Sequence, residues 1–492
     1  MGIQNGGFEF NRMALSRMRR VRYLIANCSP YEAHCRGARI GILCEFCTQH
    51  RGGSVNISAK KVVLGMASIA ISALGISSTV VAEVYLPPFY AAVAKMKPEG
   101  KLGKIIKKEK ISTSVPGVQA WRIAYISSDL KDRKTISTGL VVAPLGKAPK
   151  GGRPVLSWAH GTTGAAQNCG PSQTVNPAVP LNQYFLVGGN SWTDYGIPAM
   201  KEFINQGYVI VASDYQGLGG GGVHHYAIGA TQGRDAINAI RAAGDLREVG
   251  AGKKALVYGW SQGGGATLAA ASAGDYINQK GTAFDGIEMV GFVAMAPPDV
   301  ATAIPHDGVT EATAEAILDG LAGSFSHNVF DFTHFTMSLW ATQVAFSDKV
   351  QLGDIFTDEG SKVINEVLSN KCMHVAADTM HYTYGDEFGS LLKKEVSNAK
   401  AWVDALLAGS GTKAKPVAPV IIFWGTKDTA VPPIMGKLYR ERMCKQGSNV
   451  TRVQLAGEQT HFSTPGVSQP LYVPWVVDRF AGKPAPDGCV GE

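Results

Sequence analysis

The stretch Gly259-Trp-Ser-Gln-Gly263 constrains the fold of this chain more than any other, because of what flanks it. An apolar run, Ala255-Leu-Val-Tyr258, leads in, and an Ala- and Gly-rich helix over 264–276 leads out. A serine on a sharp strand-to-helix turn needs small neighbours, since the strand, the turn and the helix backbone come close there. The turn exposes the Ser261 hydroxyl and aims the helix N-terminus at the same point. In a chain with 58 Gly the pentapeptide alone is weak evidence, and an ordinary Gly-rich turn is the bland reading. The flanking strand and helix favour the other one.

The surroundings read as repeated strand–helix alternation. Residues 101–145 are β-rich, with antiparallel strands expected at 120–127 and 135–143. Further strands are expected at 154–158, 208–212, 254–259, 289–296, 419–424 and 450–455. Helices are expected at 200–206, 231–246, 264–276, 435–446 and 475–480. Over 231–246, Ile237, Ile240 and Ala243 share one face. Such alternation implies an α/β class, with a mostly parallel sheet covered by helices on both faces. It breaks off between 299 and 415, a stretch bounded by prolines, with helical runs at 310–321, 360–369 and 390–407. That stretch reads as a helical cap inserted between two halves of one domain, 83–298 and 416–492. Its aromatic segment holds Phe325, Phe330, Phe332, Phe335, Leu339 and Trp340, which either line an acyl tunnel or form the cap's own core. Trp260, Phe332, Phe335 and Trp340 are the candidate substrate-binding residues.

Serine is a poor nucleophile without a base. On a sheet of this kind the partners follow in the order acid, then His, on loops after late strands. Asp428 follows the strand at 419–424, and His461 follows the one at 450–455. Asp428 would hold the His461 tautomer and stabilise its imidazolium. Glu458, on the same loop as His461, is the nearest rival acid. Acyl transfer also needs two backbone N–H donors for the oxyanion. One is expected from Gln262, and the other from Thr162 or Thr163 in the loop after the strand at 154–158. His160 reads as a loop-ordering residue and Asp214 as a structural turn residue. Gly219–Gly222 lacks a following Lys and is no phosphate loop. No cofactor, metal-ligand cluster, internal repeat or nucleic-acid motif appears after residue 82.

The formal net charge of +8 invites a nucleic-acid or membrane-surface reading. Its distribution argues otherwise. Residues 1–54 hold eight Arg and three Glu, and residues 55–82 hold Lys60 and Lys61 with no acids, which leaves only +1 for 83–492. Residues 55–82 read as a signal peptide: two lysines, an uncharged run over 62–76, then Val80-Val81-Ala82 before a cut at Ala82–Glu83. An uncleaved membrane anchor is the alternative. Residues 1–54 form an Arg- and Cys-rich preface, read as an over-extension of the natural protein. Its Cys28, Cys35, Cys44 and Cys47 fit zinc-ligand spacing poorly. Four cysteines follow the leader: Cys169, Cys372, Cys444 and Cys489. An even number in an exported chain suggests two disulfides, and three pairings are open.

The residues around these motifs resemble secretory lipases of the Candida lipase A type, within the α/β-hydrolase superfamily. The carriers are Gly-Trp-Ser261-Gln-Gly-Gly, Ser213-Asp214-Tyr215-Gln-Gly217-Leu-Gly219, Asn168-Cys169-Gly-Pro171-Ser172, Trp-Gly-Thr-Lys-Asp428 and Thr-His461. They span roughly 100–480 of the chain. The resemblance implies an exported serine ester hydrolase acting on acylglycerols or other hydrophobic esters, with its cap between nucleophile and acid. It also implies the pairs Cys169–Cys372 and Cys444–Cys489. The chain departs in placing Thr at the oxyanion position, where some relatives carry an acidic residue, which bears on substrate range. A small-ester, aryl-ester or polyester hydrolase, or a secreted acyltransferase, would share the same three residues. A non-catalytic lipid-binding protein would be expected to lack one of them.

Overall fold

Nine strands form one sheet among the described residues of the computed structural model, in the order β1-β2-β3-β5-β4-β6-β7-β8-β9. The structure describes residues 84–183, 189, 193–305 and 308–490. The preface, its cysteines, the signal segment and the cut at Ala82–Glu83 lie outside them. The strands are β1 (Ile105–Ile111), β2 (Val118–Ser128), β3 (Lys134–Pro144), β4 (Arg153–Ala159) and β5 (Val209–Gln216). They continue as β6 (Ala251–Trp260), β7 (Glu288–Met295), β8 (Val420–Trp424) and β9 (Val450–Gln454). Pairing is antiparallel from β1 through β3 to β5 and parallel from β5 to β9.

The central parallel strands are apolar over most of their length because helices cover both faces. Alternate residues serve opposite cores. Val209, Val257, Phe292 and Ile422 pack with Ile237 and Ile240 of one helix (Gly229–Asp245) and Tyr439 and Met443 of another (Ile434–Lys445). Ile210, Tyr258, Val293 and Phe423 pack on the other side with Phe203 of the helix Met200–Asn205. The helix Thr464–Phe480 contributes Tyr472, Val476 and Phe480 to that side. The last helix is far longer than the expected 475–480. Pro470 and Pro474 lie inside it, and they read locally as breakers. Ser468, Tyr472, Val476 and Phe480 nevertheless form a buried stripe four residues apart, so burial against the sheet outweighs the two missing hydrogen bonds.

Between β7 and β8 the chain is helical: Val300–Ala303, Glu311–Phe325, Val329–Ala345, Asp358–Asn370, Met373–Tyr384 and Ala399–Ser410. Three of these helices start on a side-chain cap: Thr310 accepts from Thr313 N–H, Asn328 from Asp331 N–H and Thr357 from Gly360 N–H. The helix Met373–Tyr384 has no counterpart in the sequence-based expectation, and the expected run at 390–407 starts only at Ala399. Phe332, Trp340, Ile364, Leu368, Met380 and Trp402 fill the interior of this region. A disulfide ties Cys169, in the loop after β4, to Cys372 at the start of Met373–Tyr384, and a second joins Cys444 to Cys489. No helix among the described residues is long and apolar enough to cross a membrane.

Candidate active site

Ser261 is the single residue between the end of β6 and the helix Gln262–Ala271, and its backbone sits at φ 56°, ψ −125°. A non-glycine residue there is strained by about 1–3 kcal/mol, and the surroundings must impose it. They do so through close packing. A Cβ on Gly259 would lie 2.2 Å from Gly263 O, and one on Gly263 would lie 1.9 Å from Ala159 O. Only glycine fits either position, so the motif's two glycines are requirements of backbone approach. Ser261 N–H donates to Met295 O (2.9 Å), which anchors the turn to β7.

The loops after β8 and β9 bring two more residues to this turn. His461 Nε2 lies 2.8 Å from Ser261 Oγ, and His461 Nδ1 lies 2.8 Å from Asp428 Oδ2. Asp428 Oδ1 accepts from Val431 N–H (2.8 Å) and Ala430 N–H (3.1 Å), so its carboxylate orientation is set by its own turn. Trp260 Nε1–H donates to His461 O (3.1 Å), and its ring lies 5.2 Å from the imidazole. All three side chains are buried. A carboxylate only accepts, so Nδ1 carries the proton and Nε2 presents a lone pair to the serine hydroxyl. That arrangement can remove a proton from Ser261. Glu458, the rival acid, is exposed and pairs with Lys427 at 3.4 Å.

Gln262 opens its helix, and no acceptor among the described residues takes its backbone N–H. Its side chain is fixed by a residue that the sequence reading missed. His224 Nδ1–H donates to Gln216 O (2.8 Å), which leaves Nε2 to accept from Gln262 Nε2–H (3.1 Å). Burial depresses the His224 pKa to about 3, so the ring stays neutral and keeps this tautomer.

The loop after β4 runs against the serine: a Cβ on Gly161 would lie 2.8 Å from the Trp260 ring and 3.5 Å from Ser261 Cβ. Thr162 lines the space above Ser261, with its hydroxyl 2.9 Å from that of Tyr226. Thr163 is buried and does not border that space; its carbonyl accepts from Met373 N–H (3.0 Å). His160 Nδ1 faces Gly161 O (2.6 Å) and Nε2 faces Asp214 O (3.3 Å). Burial lowers the His160 pKa to about 4, and Tyr215 Oη–H donates to its carbonyl (3.0 Å). A neutral imidazole carries one proton and donates to only one of the Gly161 and Asp214 carbonyls; the ring also packs on Tyr215 of β5 at 4.5 Å. Asp214 is buried under the same loop, accepting from Ser172 N–H (2.9 Å) and Thr138 Oγ1–H (2.8 Å). Burial pushes the Asp214 carboxyl up to about 6.

A cleft with about 1070 Å³ of empty space, its open mouth included, lies over Ser261 and His461. Its walls are mainly apolar, from Phe325, Phe330, Phe335 and Leu339 on the helical side and Met435 and Phe462 on the sheet side. Of the four candidate substrate contacts, Trp260 and Phe335 border it. Phe332 and Trp340 do not, which corrects two of the four candidates. Phe332 packs on Phe388 at 5.0 Å, and Trp340 Nε1–H donates to Asn365 Oδ1 (3.0 Å) inside the helical core. The aromatic segment therefore divides between residues that border the cavity and residues that fill the helical core.

Residues 191–488 match a family described as "Secretory lipase". Lipase 9 of Candida albicans is 23% identical, over 82% of this chain and 84% of the relative. Secreted triacylglycerol lipase LIP3 of Malassezia globosa is 24% identical, over 82% and 83%. Among solved structures, Candida antarctica lipase A superposes with a TM-score of 0.59 at 15% identity, covering 82% of this chain and 87% of that one. The rice cell wall degrading esterase LipA of Xanthomonas oryzae superposes with a TM-score of 0.58 at 17% identity, covering 78% and 100%. At these identities the superpositions show the fold, which is that of the α/β-hydrolases.

Proposed function

The chain belongs to the secretory lipase family and is a carboxylic ester hydrolase, and from that premise we propose that it works through an acyl-enzyme on Ser261. Ser261 Oγ attacks the ester carbonyl carbon as His461 Nε2 takes its proton, with Asp428 holding the imidazolium. The oxyanion rests on the N–H of Gln262 and on an N–H of the Thr162–Thr163 loop. His461 then returns its proton to the leaving oxygen and the alcohol departs. Water, deprotonated by the same imidazole, attacks the acyl-enzyme and frees Ser261.

The observation that carries this reading is the mainly apolar lining of the cleft that opens directly on the Ser261–His461 pair. Space of that kind suits a hydrophobic acyl chain, and long-chain acylglycerols are the preferred substrate class. The Malassezia relatives named as triacylglycerol lipases support the same class. The helices between β7 and β8 act as a cap on that cavity. Export fits the family and the two disulfides, with residues 55–82 as the leader, cut after Ala82. Purified protein should hydrolyse p-nitrophenyl esters with a rate that rises from short to long acyl chains, and Ser261→Ala should abolish it. Activity retained in Ser261→Ala overturns the nucleophile; a profile that peaks at the shortest esters overturns the lipase reading in favour of a small-ester hydrolase.

A further inference from the structure

The helix Val329–Ala345 presents a stripe to the cavity: Phe330, His334 and Ser338 along one line, Phe335 and Leu339 beside it. Two polar residues set among these apolar ones need a reason, since an unpaired polar group facing an apolar space is costly. His334 Nδ1–H donates to Phe330 O (2.9 Å), one turn back in the same helix. A carbonyl accepts only, so the proton sits on Nδ1 and Nε2 is left as a bare acceptor. Phe330 packs edge-on against the ring at 4.6 Å and Tyr226 lies 6.4 Å away, which holds the ring in this pose. Protein encloses the imidazole, yet the residue keeps accessible surface, because the surface it keeps faces the cavity. Burial lowers the His334 pKa to about 4, so the acceptor stays neutral at ordinary pH.

No group among the described residues pairs with Nε2 of His334 or with Oγ of Ser338, one turn further on. Some other polar groups that border the cavity have partners. Thr162 and Tyr226 bond each other, and Asp331 accepts from Asn328 Nδ2–H (2.6 Å). The wall thus offers an acceptor and, about one helical turn away, a hydroxyl that donates or accepts. Two such groups side by side match a hydroxyl on the bound acyl chain: its O–H donates to His334 Nε2, and its oxygen accepts from Ser338 Oγ–H.

We propose that His334 and Ser338 form a hydroxyl-recognising seam that makes the enzyme prefer esters of hydroxylated acyl chains over plain chains of the same length. The seam rests on the reading of Ser261 as nucleophile and of this cavity as the acyl site. A plain chain leaves both polar groups unpaired in an apolar wall, and that unpaired state is the source of discrimination.

The test is competition between methyl octadecanoate and its hydroxylated derivatives, with the hydroxyl near the carboxyl, at mid-chain and towards the methyl end. In the unaltered enzyme one of the hydroxylated esters should show kcat/KM about tenfold above the plain ester. His334→Leu should bring that ratio to about one, and Ser338→Ala should lower it in part. Each ratio compares two substrates on one preparation, so partial misfolding cancels. Parity of all derivatives with the plain ester in the unaltered enzyme overturns the seam, as does a preference that survives His334→Leu. Failure of the underlying reading shows separately, as turnover retained in Ser261→Ala.

Discussion

Buried polar residues around the serine do opposite things with pH. His160, His225 and His334 are each held to a pKa of about 4 by burial, and His224 to about 3. In the unfolded chain each titrates near 6.5. Between those values the unfolded state binds more protons than the folded one, so stability falls as the pH drops from about 6.5 towards 4. Asp214 and Asp235 act against this. Burial raises both carboxyls to about 6, so the folded state holds their protons longer, and their contribution improves as the pH falls from about 6 to 4. His374 is held to about 4 as well, and burial also raises Asp299 and Asp331, so five histidines stand against four carboxyls and outweigh them. The denaturant midpoint should therefore decline on acidification across this window. A midpoint that climbs would show that the carboxyls dominate. Where the second ring nitrogen faces a donor, as His224 Nε2 faces Gln262 Nε2–H, the hydrogen bonds require the neutral ring.

At the scale of one element, glycines divide by what surrounds them. Gly263 starts the helix behind Ser261, and an added Cβ would meet the Ala159 carbonyl at 1.9 Å. Neither backbone can move without displacing Ser261, so Gly263→Ala should destabilise by about 3 kcal/mol or more and remove activity. Gly466 lies in the first turn of the helix Thr464–Phe480, and nothing lies within 4 Å of a Cβ there. Gly466→Ala should stabilise by about 0.5–1 kcal/mol, because the unfolded chain loses freedom and the helix gains a better former. Paired denaturation curves check both signs; equal effects would mean that close packing is not what requires the motif glycine. Helix faces carry the same lesson. Within Val329–Ala345, one face supplies Phe332 and Trp340 to the interior and the adjacent one supplies Phe330, His334 and Phe335 to the cavity.

For the whole molecule the two disulfides differ in what they join. Cys169–Cys372 spans 203 residues and ties the loop beside Ser261 to a helix of the cap region. Gly164 packs against that same helix start, where a Cβ would lie 2.6 Å from Cys372 Cα. Cys444–Cys489 closes 45 residues at the C-terminal end, away from the serine. Replacing either pair by Ala should cost about 2–5 kcal/mol of stability. Loss of Cys169–Cys372 should also cut ester turnover well below the melting temperature, since the loop proposed to hold the oxyanion loses its tether. Loss of Cys444–Cys489 should leave turnover at that temperature intact. Thermal melts alongside turnover separate the two effects, and equal turnover in both variants would remove the tether from the account.

Residues whose meaning is local were legible in the chain itself. Ser261 stands out because its turn demands glycines at fixed offsets, and Asp428 and His461 because each follows one of the late strands, 419–424 and 450–455. The central strands show as well, since a strand covered on both faces must be apolar at nearly every position. Three-dimensional packing decided the rest. Pro470 and Pro474 argue locally against a helix that tertiary burial maintains. Met373–Tyr384 lacks the polar-to-apolar contrast that marks a helix with one solvent face, so its existence depends on the neighbours that bury it. The split of the aromatic segment, the neutral His224 behind Gln262 and the unpaired seam of His334 and Ser338 follow from which elements meet. Periodicity records that a residue is buried; it does not record whether the space beside it is filled with protein or left open for a substrate.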